Sequence, residues 1–249
     1  VEPETVEAIA ALGDRLYAAG RFPSLTSTID GSLIEGLAVV SLQVAATGDL
    51  VLAAASAVPE GFEMGSKELS WDSGLLRLVV KRSGVRVISF RESGDQLLPA
   101  RFDTVDPGGF VAAALVDQGR LYSTWTWDGT GNLGAYVFDL RRPNSIRQLS
   151  VLSASSLDTG LYSPAIAVAG GHVWVTDTGG SVRGLDLSLP GLSESGRLNL
   201  IGDATALDLD RRQDRWVVAS GRSVAYIDSG SWISSDPLLL RVGGSTDVD

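Results

Sequence analysis

The sequence predicts an all-β chain assembled from a repeated unit of four short antiparallel strands. Three observations point there. After Pro23 the chain becomes a succession of short alternating runs of Val, Leu, Ile, Tyr and Trp broken by Gly, Asp, Asn and Ser, which is the chemistry of strands and turns. The same phrase then recurs: a small apolar strand, a polar turn, a strand with a central aromatic, a Gly turn, and a strand ending in Asp. Finally, the landmarks of that phrase are evenly spaced. Tyr122 to Trp174 is 52 residues and Trp174 to Trp216 is 42, while Asp139 to Asp186 is 47 and Asp186 to Asp228 is 42. A period in the forties is the size of one supersecondary unit that buries its faces against its neighbours.

Taken in order, residues 4 to 19 read as a helix, because Val6, Ile9, Ala10, Leu12, Leu16 and Tyr17 recur at close to 3.6-residue spacing and Gly20 follows as a stop. A weak first copy of the repeat runs from Val39–Val44 through the Thr47-Gly48-Asp49 turn and Leu50–Ala55 to Val85–Phe90, split by an insertion at roughly 58 to 73. The next copy has Phe110–Leu115, Arg120–Ser123 and Gly134–Leu140; the third has Pro164–Ala169, Gly171–Asp177 and Ser181–Leu187; the last has Ala204–Asp210, Arg215–Ala219 and Ser223–Asp228. Each closes with a further strand, near Leu97–Phe102, Ile146–Leu152, Leu198–Ile201 and Leu238–Val242.

Four-stranded units at this period are how a β-propeller hides its sheet faces. The expectation is therefore an antiparallel β-propeller of four such blades over residues 37–242, or five if 25–36 pairs with part of 58–105. It would carry a helical extension at 1–36 and an acidic tail at 243–249. Two tandem β-sandwiches would instead show turn signals every 8–12 residues or so, without the recurring terminal Asp.

The phrase with Val173-Trp174-Val175, Gly179-Gly180-Ser181 and Gly184-Leu185-Asp186-Leu187 resembles the repeat of quinoprotein-like propellers. Leu207-Asp208-Leu209-Asp210 before Arg215-Trp216-Val217 looks more like the Asp-turn repeats of other extracytoplasmic propellers. The resemblance implies a fold superfamily that includes enzymes, assembly scaffolds and surface adhesins, and so transfers no single function. The tryptophan docking motif of quinoprotein dehydrogenases is not evident, and no cofactor is expected.

Composition narrows the chemistry. The chain of 249 residues has 30 acidic and 20 basic side chains, a net charge of −10, a field that repels phosphate and argues against nucleic acid. No apolar run approaches the roughly 18 residues of a membrane helix, so this chain is not expected to insert in a membrane. The absence of cysteine removes disulfides, thiolate nucleophiles and Cys-ligated metals, and the single histidine, His172, rules out two-histidine metal motifs within one chain. Arginine far outnumbers lysine, as in a GC-rich, bacterial source.

His172 reads as a turn histidine, and Asp208, Asp210 and Asp214 lack the Gly and Glu of a calcium loop. Asp139, Asp186 and Asp228 are expected to accept N–H groups of turns. Paired carboxylates for glycoside cleavage could be sought among Glu60, Glu63, Glu68 and Asp72 in the insertion, with a solvated loop as the plainer reading.

With no nucleophile or metal motif, the chain reads as a non-catalytic binding or scaffold module, extracytoplasmic and bacterial, engaging a protein partner through rim loops. The alternative is a glycan-binding or glycan-active propeller. Trp125 and Trp127 share one side of a strand that leads into a polar turn, and Trp71 lies in the insertion. The expected partner surface combines Trp71, Trp125 and Trp127 as aromatic anchors with Glu63, Asp72 and Asp128 as polar contacts.

Overall fold

The computed structural model describes residues 5–241, apart from 23–24, 28, 35, 61, 63–64, 82–83, 106–109, 127–132, 143–145, 153–165, 170–171, 177–180, 187–192, 200–203, 211–214, 221–222 and 229–238. These residues form twenty strands, grouped in chain order into five four-stranded sheets. The first sheet contains β1 (Thr5–Leu12), β2 (Arg15–Arg21), β3 (Leu37–Val44) and β4 (Leu50–Ala57). The second contains β5 (Ser66–Asp72), β6 (Leu75–Lys81), β7 (Val85–Ser93) and β8 (Gln96–Val105). The third contains β9 (Phe110–Asp117), β10 (Arg120–Thr126), β11 (Leu133–Asp139) and β12 (Arg147–Leu152). The fourth contains β13 (Ile166–Ala169), β14 (His172–Thr176), β15 (Ser181–Asp186) and β16 (Ser193–Asn199), and the fifth β17 (Ala204–Asp210), β18 (Arg215–Ser220), β19 (Ser223–Asp228) and β20 (Leu239–Arg241). In each sheet the strands neighbour one another in sequence order. The expected class, an antiparallel β-propeller, holds, with five sheets.

Two expectations are corrected. Residues 5–21 form no helix. They are the hairpin β1–β2, which pairs through β2 with β3, so residues 1–36 supply half of the first sheet and are not an extension to it. The apolar spacing of this stretch fits a helix, but Gly13 sits at φ +62° in the turn, and pairing of Leu16, Ala18 and Gly20 with Leu42, Val40 and Ala38 outweighs local propensity. The supposed insertion at 58–73 contains β5, the first strand of the second sheet, in unbroken register with β6 from Ser66↔Lys81 to Asp72↔Leu75. The weak first copy of the repeat is thus two sheets. The acidic tail lies outside the described residues.

The chain divides into two compact units. The first comprises Val1–Gly108 with Leu115–Leu121 and Asp139–Ile146, the second Gly109–Ala114 with Tyr122–Phe138 and Arg147–Asp249. In the first unit, β1 packs beside β5, and the core between the first two sheets joins Tyr17, Leu37 and Val39 to Leu69, Leu76, Leu78, Ile88 and Phe90. The other face of the first sheet is covered by its own β2–β3 connection, which lays Phe22, Leu25 and Ile34 over Ala38, Val40 and Ala55. In the second unit, β13 packs beside β17. There Trp174 lies across Gly184, its register partner on β15, so closely that a Cβ at residue 184 would stand 2.7 Å from the indole.

The hairpin turns explain the strand ends. Ser73 and Gly74 between β5 and β6, and Gln118 and Gly119 between β9 and β10, have positive φ at both central positions (51° and 78°, 49° and 69°). This is the two-residue turn whose twist matches that of the flanking strands.

Candidate functional site

The second sheet has two unlike faces. Along β5, Lys67, Leu69 and Trp71 alternate with Glu68, Ser70 and Asp72. Leu69 and Trp71 pack into the core shared with the first sheet, where Trp71 stacks on Tyr17 with ring centroids 5.3 Å apart. The other set meets the third sheet's β9 end and β9–β10 turn: Ser70 Oγ donates to the Val116 carbonyl at 3.3 Å, and Asp72 Oδ2 accepts the Gly119 N–H at 3.0 Å. The register carries this polar face across the sheet, from Ser70 to Arg77, Ser89 and Arg101 and, one row on, from Glu68 to Asp103.

Three ion pairs occupy that face: Glu68 with Lys81, Asp72 with Arg77 at 3.4 Å, and Arg101 with Asp103 at 2.7 Å. Arg77 also donates to Ser89 Oγ, and Arg101 to the carbonyls of Leu140 and Arg142. Arg77 is 5% exposed, and the loss of water lowers its pKa against the upward pull of Asp72. Asp72 and Asp103 are equally buried.

The strand starts are the open end of this arrangement. Lys81 is buried, whereas its partner Glu68 keeps 34% of its side chain exposed. The Glu68 carboxyl is pushed above its ordinary value: desolvation outweighs both the Lys81 charge and its hydrogen bond. On the opposite face of the same strand, Lys67 is buried and donates to Glu7 Oε2 at 2.5 Å and to the Gly65 carbonyl at 3.0 Å. Two buried ammonium groups, each held by a carboxylate that reaches solvent, therefore flank the start of β5. Each ion pair offsets part of the cost of taking an ammonium group out of bulk water.

A separate polar cluster lies between the first two sheets at the other end of their strands. Glu92 on β7 accepts from Arg15, from Tyr17 Oη at 2.6 Å and from Ser41 Oγ at 3.1 Å. Burial first, then the hydrogen bond to Glu92, pushes the Tyr17 phenol well above its usual range. Arg15 also donates to Ser41 Oγ at 3.2 Å, and the convergence of three donors on one carboxylate makes the cluster a fastening between sheets.

Of the residues expected to form a partner surface, Trp71 and Asp72 lie on β5, with Trp71 against Tyr17 and Asp72 capping the Gly119 turn. Trp125 lies on β10, and Glu63, Trp127 and Asp128 fall outside the described residues. Glu68, named among possible acids, is brought together with Lys81, and Asp72 with Arg77. Lys67, Lys81 and Glu7 were missed. The signal available was that Lys67 and Lys81 are the chain's two lysines, both within strands. Asp139 does accept a turn N–H, from Arg141 at 3.0 Å, and its side-chain hydrogen bonds with Arg141 hold its carboxyl well below the usual range. His172 begins β14 with its ring 5.6 Å from that of Trp174. Among the described residues no three His, Cys, Asp or Glu side chains gather as a metal site, and no helix is long and apolar enough to cross a membrane.

No protein-family model matches the sequence, and no curated protein does. Solved structures do match its fold. A protein from Lactobacillus plantarum superposes with a TM-score of 0.64 at 12% identity, over 98% of this chain and 72% of that one. The periplasmic gluconolactonase PpgL of Pseudomonas aeruginosa superposes with a TM-score of 0.59 at 17% identity, over 94% of this chain and 69% of that one. The computationally designed protein Ika8 gives 0.53 at 13% identity, over 94% and 60%. The expectation of a non-catalytic scaffold is corrected by the second of these, because the same architecture there belongs to an enzyme. What the comparisons establish for this chain is the fold: an antiparallel β-propeller, shared with a bacterial periplasmic enzyme.

Proposed function

We propose that this chain is a hydrolytic propeller that opens a small polar lactone, with Glu68 as general base and Lys81 as the cation that steadies the developing oxyanion. The observation that carries this reading is the Glu68–Lys81 pair itself: a carboxyl that water can reach, with its pKa raised, beside a buried ammonium at the start of the second sheet's first strand. A base poised above the ordinary carboxylate range accepts a proton from water more readily, and a fixed cation in a desolvated setting is worth more than one in water. The substrate class is supported by the fold shared with a gluconolactonase, and an extracytoplasmic location by that protein's being periplasmic.

In this reading a water molecule gives a proton to the Glu68 carboxylate as its oxygen attacks the ring carbonyl. The tetrahedral oxyanion forms beside Lys81, the ring C–O bond breaks, and the proton on Glu68 passes to the departing ring oxygen. One lactone and one water give one hydroxy acid. The test is ring opening of glucono-δ-lactone and a panel of aldonolactones, followed by pH-stat above the uncatalysed rate. Catalysis that falls by about a hundredfold or more in Glu68→Gln supports the assignment. Absence of catalysis by the wild-type protein across the panel, or full activity in the variant, overturns it.

A further inference from the structure

The polar face of the second sheet leaves two complementary atoms without partners. Arg77 Nε and Asp103 Oδ2 are fully buried, and neither has a hydrogen-bond partner among the described residues. Every other strong contact in the neighbourhood is directed elsewhere: the Arg77 Nη groups go to Ser89 and Asp72, and Asp103 Oδ1 accepts from Arg101 Nε at 2.9 Å. The register puts the two residues on the same face two strands apart, Arg77 opposite Ser89 and Asp103 opposite Val87, with Ser89 and Val87 both on the intervening strand. The residues between them on β7 are thus a serine and a valine, both with short side chains.

A lone buried N–H and a lone buried carboxylate oxygen each carry a desolvation cost. One is a donor and the other an acceptor, so a group that accepts and donates at once would satisfy both. We infer that a single structural water is held between Arg77 Nε and Asp103 Oδ2, accepting from the first and donating to the second. The Ser89 hydroxyl, whose oxygen already accepts from Arg77, has a proton to offer as a third bond, and two to four polar partners are what a buried water requires. The site belongs to the folded sheet and is independent of lactone hydrolysis.

The test uses the wild-type protein in two ways. A high-resolution crystal structure should show one ordered water within hydrogen-bond distance of both atoms, and nuclear Overhauser contacts in solution should show a long-lived water beside the amides of Ser89 and Asp103. A direct bond between Arg77 and Asp103, another protein group on either atom, or an empty space between them would each overturn the inference.

Discussion

The Tyr17 hydroxyl donates to Glu92 Oε2 at 2.6 Å, a hydrogen bond that joins residues 75 positions apart and belongs to two different sheets. Arg15 and Ser41 donate to the same carboxylate, and the Tyr17 ring is stacked on Trp71. A single acidic side chain therefore satisfies three donors at the seam between the first and second sheets. Glu92→Ala should cost about 2–3 kcal/mol, since it strands a buried phenol and a buried serine hydroxyl, while Glu92→Gln should cost less. Urea unfolding of the two variants measures the difference; equal and negligible losses would mean that water replaces the carboxylate freely.

Asp72 makes a stronger case, because its partner Arg77 is buried and cannot recover its lost bond in solvent. Asp72→Ala should destabilise by about 3–5 kcal/mol, the cost of leaving a buried charge uncompensated. Asp72→Asn keeps an acceptor for the Gly119 N–H and should fall between wild type and alanine. Amide exchange at Gly119 reports the local effect: it should speed up in the alanine variant before the rest of the sheet responds.

Gly20 and Gly184 should both resist substitution, for different reasons. A Cβ at residue 20 would lie 2.1 Å from the Thr5 carbonyl oxygen, so Gly20→Ala must displace β1 itself. At residue 184 the obstacle is the Trp174 ring, which can tilt, so Gly184→Ala should cost about 1–3 kcal/mol and shift the indole fluorescence. Thermal melts should rank Gly20→Ala as the more damaging change; a reversed order would mean that the Trp174 contact is the stiffer of the two.

Glu68 predicts a pH dependence of stability that runs against most carboxylates. Its folded-state pKa is raised above the ordinary 4.5, so folding favours the protonated form. Its contribution is complete below the unfolded value and is lost as pH rises through the folded one. Compared with wild type, Glu68→Gln should therefore gain relative stability as the pH is taken from 4 towards neutrality, measured by denaturant midpoints across that range. A constant difference between the two proteins would show that Glu68 titrates normally.

The repeat was legible in the sequence because the second and third strands of the last three sheets carry strong local marks. Tyr122, Trp174 and Trp216 lie on second strands, and Asp139, Asp186 and Asp228 end third strands. The first two sheets were harder to separate because those marks change. Arg77 takes the place that Tyr17 has in the first sheet, each opposite a serine, and the excursion from Phe22 to Gly36 stretches the first interval. The helix expected at 4–19 failed on the same ground. Apolar residues at helical spacing also serve a hairpin once a neighbouring strand supplies the pairing, and that strand lies beyond the excursion.

Alternation and turn chemistry are local, so the sequence by itself determined the strand-rich class, the four-strand unit and the absence of cysteine and multi-histidine chemistry. Which face of β5 meets an apolar core and which meets charge depends on what packs against each side. Only the tertiary structure decided that Trp71 goes to Tyr17, that Asp72 caps the Gly119 turn, and that Glu68 and Lys81 meet at the start of the strand. Those partners are separated along the chain, and the desolvation that raises the Glu68 pKa exists only where sheets stack and exclude water.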